Sequence, residues 1–193
     1  MTKRILLAGL LGGLAMFIWQ SVAHVVLPLG EAGIQALPNE PAIQAAVKAT
    51  IRGPGFYLFP APESRPGMSS TEKQQAMERA TERRRIEPAG IMIVHPYGFP
   101  VPLSTQLAKQ FALDFLAILL AAMLLSFTTG FSYGKRVVFI ALMGLLPALT
   151  VEIPDNNWYG FPQMYVVAQS VTHLVGFIVA GLFVAKVVNP SAT

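Results

Sequence analysis

The sequence predicts an all-α membrane protein, a four-transmembrane-helix bundle with a small α/β extramembrane subdomain inserted between helices 1 and 2. Three observations point there. Hydrophobic residues make up 53% of the 193 residues, more apolar surface than a soluble domain of this length buries. Charged residues make up only 12%. Almost all of those lie outside four apolar stretches, the segregation that a bilayer imposes.

The first stretch, residues 5–27, spans about 34 Å as a helix, enough to cross the hydrocarbon with some tilt. Its basic Thr2-Lys3-Arg4 start and its Ser21-Val22-Ala23 end resemble a cleaved leader. The apolar run continues through Val25, Val26 and Leu27, longer than a leader requires, so an uncleaved anchor is expected. Residues 107–131, 137–151 and 164–188 give the other three spans. Pro147 lies inside the third, which is expected to kink or to stop short before Glu152, Pro154 and Asp155.

Residues 28–106 are too polar for lipid and too patterned for a linker. Asn39 is placed to cap a helix from Glu40 to about Ile51, which Gly53-Pro54-Gly55 ends. Ser69 with Glu72 three positions on forms a capping box, opening a polar helix that runs to Glu87 before Pro88. Phe56-Tyr57-Leu58-Phe59 and Ile91-Met92-Ile93-Val94 are strand-length pieces expected to pair, with the polar helix as their connection.

Lys3, Arg4, Lys135, Arg136 and Lys186 flank the spans on one side of a four-helix topology, and residues 28–47 opposite carry no Lys or Arg. Basic residues close to the spans set orientation. The expected arrangement is a bacterial inner-membrane protein with cytoplasmic termini and residues 28–106 in the periplasm. Trp158, Tyr159 and Phe161 then fall at the outer interface, in a rigid loop or a lip for a partner or ligand.

Six of the fourteen basic residues fall in residues 63–87 beside five Glu, a solvated mixed-charge face that argues against nucleic-acid binding. The absence of Cys excludes disulfide frameworks, thiolate metal sites and thioether-attached haem. No nucleophile with its base, nucleotide-binding glycine pattern or metal-ligand spacing is present. The sequence therefore points away from an enzyme and calls for neither cofactor nor metal.

The polar residues inside the spans are the candidate site. Gln20-Ser21-Val22-Ala23-His24 is echoed by Gln169-Ser170-Val171-Thr172-His173, with Gln and His four apart and so on one helix face in each copy. Counting depth along the helices brings Gln20, Asp114 and His173 to similar levels, so Asp114 is expected to pair with His173 or Gln20. Gly9 and Gly13 form a GxxxG pattern, and Ala168, Thr172, Gly176 and Ala180 form a small-residue row. These rows suit close packing against the chain's own helices, another copy or a membrane-protein partner. Two functions follow as expectations. The first is a non-catalytic accessory, assembly or anchoring subunit of a larger membrane complex. The second is a proton- or ion-coupled transport or redox component built on Gln20, His24, Asp114, Gln169 and His173.

Overall fold

The computed structural model describes residues 2–189 and is mostly helical, with one small antiparallel sheet. Four helices are long and apolar enough to span a bilayer: α1 (Thr2–Val25), α4 (Leu103–Ser126), α5 (Tyr133–Tyr159) and α6 (Gln163–Val187). Between α1 and α4 in the chain come α2 (Glu40–Thr50), β1 (Gly55–Phe59), α3 (Ser70–Ile86) and β2 (Gly90–Val94). The chain divides into two compact units, one of Ala36–Pro100 and one of the residues before and after it. Residues 28–35, with a single 3-10 turn at Leu29–Glu31, fold with the long helices.

In the helical unit α1 lies between α4 and α6, and α6 in turn packs on α5. Backbone proximity sets these contacts. A Cβ added at Gly13 would lie 2.8 Å from the Phe115 Cα, and one at Gly9 would lie 3.2 Å from the Leu119 Cα, so the GxxxG row carries α1 against α4. Gly12, one step around the helix, faces Ile118 and Val184, and Gly176 faces Met16 and Trp19. Gly144 and Gly181 do the same between α5 and α6, against Phe177 and Ile140. The small-residue rows are thus used inside the chain. Ile118, Leu125, Ile140 and Val184 fill the core they enclose. Outside it, Leu6, Leu10, Leu14, Leu120 and Leu149 are exposed, the apolar surface of helices that contact lipid.

Pro147 does not end the third helix. It removes one N–H from the ladder, and the five residues that follow, Ala148–Glu152, form a wide π turn before the α form resumes through Tyr159. The expected break near Glu152 is therefore a change of winding within one helix. The tract around Trp158 is correspondingly the last turn of α5 rather than a loop, and it ends at Gly160, whose φ of 73° suits glycine.

In Ala36–Pro100 the strands pair antiparallel from Gly55 opposite Val94 to Phe59 opposite Gly90, and α3 connects them. The capping box is complete, with the Ser69 side chain accepting from the Glu72 N–H and the Glu72 carboxylate accepting from the Ser69 N–H. The bond from the Ser69 N–H, and after it one that the Ser69 hydroxyl donates to the same carboxylate oxygen, hold the Glu72 carboxyl below its ordinary pKa. A hydrogen bond from Arg83 does the same for Glu87 at the other end. Asn39 departs from expectation. It precedes α2 in the left-handed region, at φ 50°, and its side chain makes no capping bond.

Candidate functional site

Two polar clusters lie within the long helices. The first joins α1 to α4. Gln20 and Gln110 each donate a side-chain N–H to Asp114 Oδ1, at 3.0 and 2.9 Å, and Gln110 also donates to Gln20 Oε1 at 3.1 Å. Asp114 is 3% exposed, and its Oδ2 has no partner. Gln110 precedes Asp114 by one helical turn, so α4 presents both on one face, and the glycines of α1 let Gln20 approach.

The second cluster joins α5 to α6. Glu152, the last residue of the π turn, is 6% exposed and brings Oε1 to 2.7 Å from His173 Nδ1. The groups meet at ion-pair distance without the alignment of a hydrogen bond, and Glu152 Oε2 has no partner. A protonated imidazole makes this contact a salt bridge, and a neutral one does not. The expected pairing of His173 with Asp114 is replaced: His173 meets Glu152, and the amides of Gln20 and Gln110 hold Asp114. Between the clusters Trp19 Nε1 donates to the Thr172 carbonyl at 2.9 Å, pinning α1 to α6.

Among the described residues, the side chains of His24 and Gln169, the outer members of the echoed pair, make no hydrogen bond. The His24 ring sits over Gly30, where any Cβ would collide with it. Both residues line an open cavity of about 510 Å³, which also reaches Gln20, Gln110, Thr172 and His173. Neither buried carboxylate is in its wall. His95 lies in the other unit, its ring 4.7 Å from that of Phe99. Trp158 is well exposed, and the Phe161 ring lies 5.5 Å from that of Tyr165, tilted by 45°. Among the described residues, no group of three or more His, Asp and Glu could hold a metal ion.

Sequence reasoning missed Glu152, Gln110 and Trp19. Gln110 carried a signal, being one turn from the only carboxylate well inside the second span. Glu152 carried a misleading one, since Pro147 and Pro154 on either side suggested that the helix had already ended. No protein-family model matches the chain, and no curated protein or solved structure matches it.

Proposed function

We propose that the chain is an integral membrane component that handles protons through the paired clusters Gln20–Gln110–Asp114 and Glu152–His173. One observation carries this reading. Two carboxylates at membrane depth are each left with an uncompensated oxygen, at Asp114 Oδ2 and Glu152 Oε2. A purely structural polar contact between helices tends to satisfy its groups completely, because lipid offers no substitute partner. Protonation turns an acceptor oxygen into a donor, and on Glu152 it would remove the charge facing His173. The π turn adds to the case, since such turns concentrate at functional positions in helices.

The accessory-subunit reading drew on the small-residue rows as possible partner faces. Those rows are taken up by packing between α1, α4 and α6, and so supply no argument for a partner. As part of the proposal the termini are cytoplasmic and Ala36–Pro100 is extracytoplasmic, in a bacterial inner membrane, because the span-flanking Lys and Arg cluster on the other side.

The test is infrared difference spectroscopy of the protein in lipid nanodiscs across a pH jump, following the carbonyl stretch of protonated carboxyl groups. Two buried-acid bands are expected, one removed by Asp114→Asn and the other by Glu152→Gln. If neither substitution alters the carboxyl signal while the circular dichroism is unchanged, the clusters hold the helices together and handle no proton.

A further inference from the structure

The cavity beside the clusters has an unusual division of surface. Its polar wall comes from Gln20, Ser21, Gln110, Gln169, Thr172, His24 and His173, and no Lys, Arg, Asp or Glu contributes to it. Much of that polarity is already engaged. The Gln20 and Gln110 amides hold Asp114, and the Thr172 hydroxyl donates to the Ala168 carbonyl at 2.8 Å. His24 and Gln169 are not engaged, and each offers donor and acceptor atoms without a partner. An amide and an imidazole left open in the wall are available to whatever enters the cavity.

The remaining wall is apolar. Val25, Leu103 and Leu107 border the cavity and are 79%, 68% and 45% exposed, so its rim continues onto the surface that faces lipid. The lining comes from the last turns of α1 and the first three turns of α4 and α6, so the cavity opens at one end of the helical unit and reaches inward to Gln20 and His173. At about 510 Å³ it falls inside the range of roughly 300–1,000 Å³ usual for small-molecule sites.

From these features we infer that the cavity binds a neutral amphiphile, one with an uncharged, oxygen-bearing head and an apolar chain. The head accepts hydrogen bonds from Gln169 and His24, a hydroxyl head can also donate to them, and the chain leaves over Leu103 and Leu107 into the bilayer. A wall without Lys or Arg gives an anionic head no permanent cation to pair with, and the His173 imidazole already faces Glu152. The nearest carboxylates cannot pair directly with a cationic head, because Asp114 lies behind two glutamines and neither acid reaches the wall. Carbonyl and hydroxyl heads share the required chemistry. The inference rests on the proton-handling reading of the same site, since it names what would sit beside the groups that change protonation.

Trp19 is a built-in reporter. It is fixed to the Thr172 carbonyl, and Thr172 lines the cavity. The only other tryptophan, Trp158, is exposed and is removed by Trp158→Phe. The experiment titrates this variant in nanodiscs with a decyl-substituted benzoquinone, whose neutral carbonyl head quenches indole fluorescence, and then adds dodecanol, dodecylamine or dodecanoate as competitor. Saturable quenching is expected, reversed by dodecanol and not by the two charged chains. Adding Gln169→Leu, which breaks no hydrogen bond within the chain, should weaken binding about tenfold, the worth of one hydrogen bond. Gly30→Ala, which displaces the His24 ring, should weaken it through a second wall.

Quenching that rises linearly and is unchanged by both substitutions overturns the inference, as does displacement by either charged chain in preference to dodecanol. The infrared carboxyl signal is read separately. An intact signal with no saturable binding removes this inference alone, and loss of the signal with binding retained removes the proton-handling reading instead.

Discussion

The two units of the chain pair their polar side chains in opposite ways. In Ala36–Pro100 most partners are a single helical turn away, as in Ser69 with Glu72, Gln74 with Glu78 and Arg83 with Glu87. Among the long helices the decisive pairs are remote in sequence, with Gln20 bonded to Asp114 across 94 positions and the Trp19 indole to the Thr172 carbonyl across 153. Solvent explains the difference. On a wet surface water competes for every group, so a pair persists where the backbone already holds its members close. Inside lipid there is no competitor, and a polar group on one helix finds its partner on another. Packing follows the same division. The long helices meet through glycines and bury Ile118, Leu125, Ile140 and Val184, whereas α3 buries only Ala76 and Ala80.

The sharpest test of this contrast is Gly13→Ala. The new methyl would lie 2.8 Å from the Phe115 Cα, and backbone cannot swing aside as a side chain can. We expect a loss of about 1–3 kcal/mol or more, measured as a lower melting temperature in detergent. An unchanged melting temperature would mean that close backbone approach does not hold α1 to α4.

A smaller effect is expected from Ser69→Ala. It removes one capping bond on an exposed helix and should cost about 1 kcal/mol of local stability, seen as faster amide exchange in the first turn of α3. Exchange as slow as in the parent chain would show that packing rather than capping fixes that end.

The smallest effect is a pH dependence of α3. The folded pKa values of Glu72 and Glu87 are lowered, so the stability they contribute is fully present above the ordinary carboxylate range and is lost as pH falls through the lowered folded values. Amide exchange at both ends of α3, corrected for its intrinsic pH dependence, should therefore speed up in acid. Protection that rises on acidification would reverse the sign and break the assignment.

The same division decides what could be read from the sequence. The four spans, the Ser69 box and the pairing of Phe56–Phe59 with Ile91–Val94 rest on composition or on neighbours a few positions apart, and each is present in the structure. The GxxxG row announced a close approach without naming the helix approached. Counting along helices gave the depths of Gln20, Asp114 and His173 but nothing about rotation, and rotation is what turns His173 toward Glu152. Asn39 has the right residue type and position for a cap, yet its left-handed backbone leaves the side chain uncoupled from the first turn. Glu152 was hidden because a proline rule that holds for an α-helix does not foresee a change to π winding.

That winding makes the length of α5 as exacting as its composition. An α-helix advances about 100° per residue, so one turn that accommodates an extra residue puts everything beyond it out of phase with everything before it by about that angle. Before the turn, the phase seats Ile140 and Gly144 against α6, and after it, the shifted phase brings Glu152 to His173. Deleting any one residue from Ala148–Glu152, however bland its side chain, would let the helix close into a uniform spiral and would break that alignment. Chain length between Pro147 and Pro154 thus acts as a vernier for the site, and a gap of one residue there is a larger change than most substitutions.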